Sequence, residues 1–248
     1  MRAWALVSLS AITLALGPLP AAASSARPDP AEAAMKRVVG SSGFKAAARH
    51  LADDYERTVS ETITLTEIPA PPFKEAARGK VLLDMFRAAG LANVEMDPEG
   101  NVMGVRPGVT THGKGPFVVL AAHQDTVFPE GTGVKVRREG TRLMAPGIGD
   151  DTRSLATVLA YVRALDAAGV RTRSDILFVA NVGEEGAGDL RGTRYLFTKG
   201  PYQGRISAFF SMDGSDPSRV VDRGVGSKRY HVVFRGPGGH SYGAFGLV

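Results

Sequence analysis

The stretch Phe117-Val118-Val119-Leu120-Ala121-Ala122-His123-Gln124-Asp125 decides how this chain folds. Its first six residues are all apolar, which is typical of a β-strand that is buried on both faces of a sheet. Two further apolar-rich runs follow at 175–181 and 206–212, and helical spacing of apolar residues separates the three runs. Strands that alternate with helices predict an α/β sheet that is covered by helices on both faces.

The remaining predicted elements surround these three strands. Prolines and glycines mark where each element must stop, and the spacing of apolar residues between them predicts whether the element is a helix or a strand. Helices are predicted at 44–67, 74–89, 151–168 and 192–199, and hairpins at 93–106 and 134–144.

The first 23 residues are predicted to be a cleaved signal peptide. Arg2 precedes an apolar run from Ala5 to Leu16, and Ala21-Ala22-Ala23 provides the small residues that a cleavage site after Ala23 requires. The apolar run is shorter than the roughly 20 residues that span a bilayer. We therefore expect an exported chain, periplasmic or secreted, that has no membrane span after cleavage.

The composition excludes several classes of function. The chain contains no cysteine, so disulfides, thiolate metal ligands and cysteine nucleophiles are excluded, and any metal must be bound by histidine and carboxylates. Lys and Arg number 30 against 25 Asp and Glu, a formal charge of +5, but the basic residues are scattered among acidic ones. This distribution does not predict a nucleic-acid-binding surface.

Four polar clusters lie where a predicted strand ends or where the long helix begins. They are His123-Gln124-Asp125, Gly147-Ile148-Gly149-Asp150-Asp151, Glu184-Glu185 and Asp213. Each alone is better explained by a solvated loop, a helix cap or a turn. Open α/β sheets, however, gather ligand sites at the carboxyl ends of their strands. Together the clusters supply the nitrogen and oxygen ligands that suit zinc.

The segments that carry these clusters are AAHQDTV, GIGDD, GEEGAGDLRG and MDG, and a fifth, GPGGHSYGAFG, follows them. They resemble the di-zinc metallopeptidase family of peptidase T, glutamate carboxypeptidases, aminoacylases and acetylornithine deacetylases, from about Phe44 to the end of the chain. The resemblance implies a mixed sheet flanked by helices over residues 24–224. It also implies the start of a small α+β lid and dimerisation domain at 225–248, opening with a strand at 228–234, and a homodimer at full length.

The resemblance implies a set of metal ligands. His123, Asp150 and Asp213 would hold one zinc ion, and Asp150 and Glu185 would provide part of a second zinc site. Cobalt or manganese would be the substitutes for zinc. A cis peptide bond is expected between Asp150 and Asp151.

The resemblance also implies three catalytic roles. Glu184 would be the general base, and Asp125 would orient the imidazole of His123. His240, in the last motif, would reach the active site of the partner subunit and stabilise the oxyanion.

The chain departs from the family pattern in two places. Thr152-Arg153-Ser154 follow the Asp pair, where the family usually has Lys and then Gly within three residues. The second zinc site also needs a histidine from the far C-terminal part of the catalytic domain, and none of the five histidines fits that place. We therefore expect a truncated chain that binds about one zinc ion and hydrolyses peptides poorly or not at all.

The leading hypothesis is an exported zinc-dependent peptidase or amidohydrolase that cleaves short peptides with a metal-activated water. Three alternatives stay open. The first is an N-acyl-amino-acid amidohydrolase or glutamate-type carboxypeptidase of the same family. The second is a related aminopeptidase family without the dimerisation insert, which GPGGHSYG argues against. The third is a metal-binding fragment that does not hydrolyse its ligand. The expected substrate is a small peptide or an N-acyl amino acid.

Overall fold

A computed structural model describes residues 29–214, 216, 218–224, 226–228, 230–240 and 242–244. The predicted signal peptide lies outside the described residues. The helices are α1 (Pro30–Gly40), α2 (Ser42–Asp53), α3 (Tyr55–Thr66), α4 (Ala76–Ala88), α5 (Arg153–Ala167) and α6 (Arg191–Thr198). The strands are β1 (Ala92–Met96), β2 (Val102–Arg106), β3 (Phe117–His123), β4 (Arg137–Glu139), β5 (Arg142–Met144), β6 (Asp175–Asn181) and β7 (Ile206–Ser211). None of the helices in this part of the chain combines the length and apolar character needed to cross a bilayer.

Within the described residues, five strands form one mixed sheet in the order β1-β2-β6-β3-β7. Strand β3 runs parallel to both β6 and β7, while β2 is antiparallel to β1 and β6. The register places Phe117 opposite Asp175 and His123 opposite Asn181. The carboxyl ends of β3, β6 and β7 therefore share one edge of the sheet. The predicted α/β architecture with a mixed sheet is confirmed.

Alternate residues of β3 enter two separate cores, one on each face of the sheet. Ala122 packs with Leu82 and Phe86 of α4 and with the apolar face of α5. Val119 and Ala121 pack on the opposite face, against Leu196 of α6 and Tyr202. Because both faces are covered, the strand has no polar side, which explains its uninterrupted apolar run.

Three elements differ from the predictions. The helix predicted at 44–67 is two helices, because the chain breaks at Asp54, whose carboxylate accepts a hydrogen bond from Arg163 Nε at 2.6 Å. Helix α1 was not predicted. Strand β7 pairs with β3 alone, and as an edge strand it is only partly buried, with Phe210 58% exposed.

The strand predicted at 228–234 is absent from the described residues of that range. These residues are exposed and carry no strand pairing. An apolar alternation stabilises a strand only when a neighbouring strand accepts its hydrogen bonds. The lid and dimerisation domain at 225–248 stays a prediction.

Asp175, the first residue of β6, holds the loop that precedes β3. Its buried carboxylate accepts hydrogen bonds from the backbone N–H of Gly108 and Gly113 at 2.7 and 2.8 Å and of Gly115 at 2.7 Å. Burial alone would raise the pKa of Asp175, but these donors outweigh it and lower the pKa below its usual value.

We expect Asp175→Asn to lower the free energy of unfolding at pH 7 by roughly 1–3 kcal/mol, because the amide nitrogen leaves a buried N–H without an acceptor. A carboxylate whose pKa is lowered by folding stabilises above its unfolded pKa of about 3.9 and loses that contribution as the pH falls through its folded pKa. The difference from wild type in urea unfolding should therefore shrink below about pH 3.9. The exposed control Asp84→Asn should have little effect, and equal losses in both variants would contradict this account.

Candidate metal centre

The shared edge of the three parallel strands brings the four polar clusters together. His123 is the last residue of β3, the Glu184-Glu185 pair follows β6, and Asp213 follows β7. Asp150 lies in the turn Ile148–Thr152 that leads into α5, and its own backbone is extended there, with φ −134° and ψ 95°. Its peptide bond to Asp151 is cis, as expected.

The imidazole of His123 lies at the centre of the first group of side chains. This residue is buried, and its Nε2 is 2.9 Å from Asp150 Oδ1 and 3.9 Å from Asp213 Oδ1. One ligand atom from each of the three residues lies within 4.8 Å of the other two. The two carboxylates are partly exposed, at 54% and 42%, so the group opens to solvent on the side away from the sheet.

A second group consists of His123, Glu184 and Glu185, whose ligand atoms also lie within 4.8 Å of one another. Both groups therefore contain His123. The resemblance, in contrast, pairs Glu185 with Asp150. Burial and nearby carboxylates, Asp213 foremost, raise the pKa of Glu184 against the opposing effect of His123. Burial, followed by Asp150 and Glu184, likewise raises the pKa of Glu185.

Asp125 is fully buried beneath both groups and holds the Glu184-Glu185 loop. Its Oδ1 accepts a hydrogen bond from the N–H of Glu184 at 3.1 Å, and its Oδ2 accepts one from the N–H of Glu185 at 2.9 Å. His123 Nδ1 lies 3.0 Å from the backbone oxygen of Asp125 and 3.6 Å from its Oδ1. The backbone oxygen is therefore the hydrogen-bonding partner, and the carboxylate acts on the ring mainly through its charge. With Nδ1 facing Asp125, Nε2 faces the open side of the site.

The charges of the site fit a bound cation. Burial would lower the pKa of His123, but Asp125, Asp151 and Asp150 outweigh burial and raise this pKa to about 10. Burial raises the pKa of Asp151 to about 7. Its Oδ2 accepts the His123 N–H at 2.9 Å, while its Oδ1 has no hydrogen-bond partner in the described part of the chain. One imidazole and several carboxylates provide the nitrogen and oxygen ligands that zinc, cobalt or manganese accepts. A bound cation of this kind would neutralise the excess negative charge of the carboxylates.

Arg78 supports the site from below, although the sequence analysis did not single it out. Its buried guanidinium donates to the backbone oxygen of Gln124, between His123 and Asp125, and to that of Ile68 at 2.7 Å. Burial lowers its pKa to about 10, although the charges of Asp125 and Glu75 oppose this. A signal was present: Arg78 lies on the same helical face as Leu82 and Phe86, at positions i, i+4 and i+8.

His240 is not among the residues that the sheet edge brings together. It lies exposed in a turn, where its Nδ1 accepts from the backbone N–H of Tyr242 and Gly243, both at 3.2 Å. A role in the site of a partner subunit stays a prediction.

Comparisons with known proteins find similarities to peptidases and hydrolases. Residues 119–241 match the model of peptidase family M20/M25/M40. A putative LysW-lysine/LysW-ornithine hydrolase from Pyrococcus furiosus is 34% identical over 122 residues, which make up 49% of this chain and 32% of that protein.

Two solved structures share the fold. Aminopeptidase PepT from Bacillus cereus has a TM-score of 0.52 at 26% identity, over 64% of this chain and 43% of its own. The di-peptidase Dug1p from Saccharomyces cerevisiae has a TM-score of 0.57 at 15% identity, over 70% of this chain and 41% of its own, and this likeness concerns the fold alone. The chain thus spans about a third of the curated relative and less than half of either solved chain.

Proposed function

We propose that this chain, which matches the model of peptidase family M20/M25/M40 over residues 119–241, is an exported, zinc-dependent hydrolase that cleaves short peptides. One observation carries this proposal. The ligand atoms of His123, Asp150 and Asp213 lie within 4.8 Å of one another, and Glu184 and Glu185 lie beside the same imidazole.

In this proposal His123, Asp150 and Asp213 hold one zinc ion, and Asp150 and Glu185 contribute to a second. Bound zinc would polarise the carbonyl of the scissile bond and lower the pKa of a water molecule. The chain itself fixes the ligands: Asp125 holds the Glu184-Glu185 loop, and the Nδ1 contact turns Nε2 of His123 towards the open side.

Glu184 is the proposed general base. Its carboxylate takes a proton from the attacking water and passes it to the leaving amine nitrogen, so that the C–N bond breaks and the carboxylate is restored. A base is most effective when its pKa lies near the working pH, and the burial that raises the pKa of Glu184 moves it in that direction.

The location and the assembly of the enzyme are part of the proposal. Residues 1–23 have the charge, apolar run and small residues of an export signal. His240 lies exposed, and a role for its ring in the site of a second copy of the chain is part of the proposal.

A second candidate substrate class is suggested by the Pyrococcus furiosus relative, whose name describes a hydrolase of LysW-linked lysine or ornithine. In this version the chain releases a basic amino acid from an amide linkage. The same metal ligands and the same base would serve, and only the groups that contact the leaving amino acid would differ.

A substrate panel distinguishes these versions. With zinc added, we expect the purified protein to release amino acids from unblocked di- and tripeptides faster than from N-acetyl amino acids or from lysine in γ-glutamyl linkage, measured by chromatography of the products. Faster cleavage of N-acetyl amino acids would favour the amidohydrolase, and faster release of γ-linked lysine would favour the second candidate. Zinc-loaded protein that cleaves no amide in the panel would contradict the proposed function for this chain and would favour the metal-binding fragment.

A further inference from the structure

Arg153 joins two parts of the candidate site that are far apart in sequence. It is the first residue of α5, three residues after Asp150, and its Nη2 donates a hydrogen bond to the backbone oxygen of Gly214 at 2.6 Å. Gly214 directly follows Asp213. The arginine therefore connects the turn that carries one proposed ligand to the loop that carries another.

The position of Asp213 depends on that loop. Strand β7 is an edge strand, and its pairing with β3 ends where the N–H of Met212 donates to the oxygen of Ala121 at 2.8 Å. Asp213 is the next residue, beyond the sheet, and its carboxylate is 42% exposed and 3.9 Å from His123 Nε2. Gly214 then turns the chain with φ +70°. A ligand at the end of an edge strand needs a further contact to fix its distance from the histidine.

An arginine at this place is not favoured by the helix itself. The first turn of a helix carries a partial positive charge, which disfavours a cation there by about 0.3–1 kcal/mol. The residue is exposed, so packing in the core does not explain it either. Arg153 also lies in the segment Thr152-Arg153-Ser154, where the chain departs from the family pattern of Lys followed by Gly.

We infer that Arg153 is a positioning residue that holds the Asp213–Gly214 loop so that Asp213 reaches a metal ion bound at His123. The inference rests on the proposed function, because it needs that metal site to exist. Arg153 does not touch the metal or the substrate. It acts through Asp213, and the planar guanidinium suits this role because it fixes the direction of its hydrogen bonds.

The test measures zinc affinity of chelator-treated protein by competition with a chromophoric chelator. Arg153→Gln should weaken zinc binding roughly tenfold, as the loss of a supporting contact around a metal ligand does. Arg153→Lys, which keeps a charged donor on a longer side chain than that of glutamine, should recover part of the loss. The control Arg87→Gln, on the exposed side of α4, should bind zinc like wild type, and the thermal midpoint of metal-free Arg153→Gln should match that of metal-free wild type.

A double-mutant cycle shows whether the effect passes through Asp213. In an Asp213→Asn background, Arg153→Gln should change zinc affinity less than twofold, because the ligand that it positions is already lost. Equal losses in both backgrounds, an unchanged affinity in the single variant, or an equal loss in Arg87→Gln would overturn the inference while leaving the proposed function intact. Wild-type protein that binds no zinc would instead overturn the proposed function, and this inference with it.

Discussion

Glu184→Gln is expected to lower kcat by roughly 10²–10⁴-fold, the contribution that a positioned general base makes to proton transfer. The amide has the shape of the carboxylate but cannot accept the proton of the attacking water. The bond from the Glu184 N–H to Asp125 at 3.1 Å involves the backbone and should survive, so the loop should keep its place. Zinc content, measured by plasma emission spectrometry after dialysis, should equal that of wild type.

The neighbouring Glu185→Gln is the matched control, because it changes an adjacent side chain in the same loop. Because Glu185 is a proposed metal ligand, its replacement should lower zinc content or zinc affinity. The activity of this variant should recover in part as zinc is added. Glu184→Gln should not recover with zinc. A Glu184→Gln variant that retains more than a tenth of wild-type kcat would remove Glu184 from the role of base.

Asp125→Asn is expected to weaken zinc binding by roughly 10–100-fold, with activity at limiting zinc falling in parallel. Its carboxylate accepts from the N–H of Glu184 and of Glu185. An asparagine side chain has one oxygen, so its NH₂ group must face one of these donors and the loop must shift. The change also removes a negative charge that lies 3.6 Å from His123 Nδ1, which lowers the basicity of the ring. Zinc titration of metal-free protein measures the loss.

The control variant Asp97→Asn separates a specific loss of zinc affinity from a general loss of stability. Asp97 is another buried carboxylate that caps a turn, because its Oδ1 accepts from the N–H of Glu99, Gly100 and Asn101 at 2.9, 2.9 and 3.0 Å. Its replacement should lower the thermal midpoint and leave zinc affinity within twofold of wild type. If both variants lose stability equally and neither loses zinc affinity, Asp125 is a structural residue only.

The central part of the fold could be predicted because its physical causes are local. The apolar runs of β3 and β6 indicate strands covered on both faces, and Pro98-Glu99-Gly100 lies at the hairpin that the structure confirms. Strand β7 shows where this reasoning ends. Its run is about as apolar as that of β6, yet it is an edge strand with Phe210 exposed. A strand's place in the sheet order depends on pairing that the run itself does not record.

The convergence of the four clusters could also be anticipated, since parallel strands end at one edge of a sheet. The details depend on contacts between distant segments. Sequence did not indicate that Asp125 caps the Glu184-Glu185 loop, because the two segments are about 60 residues apart. The support from Arg78 was missed because a cation on an apolar helix face is easily taken as exposed, whereas two backbone oxygens pair with this one.

X-ray diffraction from crystals grown with zinc, collected on both sides of the zinc absorption edge, tests the central claim most directly. The account predicts an anomalous difference peak between His123 Nε2, Asp150 and Asp213, at about 2.0–2.2 Å from each ligand atom. A second peak, if present, should lie roughly 3.5–4 Å from the first, towards Glu185. A well-ordered site without a peak at His123, or a zinc ion bound elsewhere on the chain, would contradict the account.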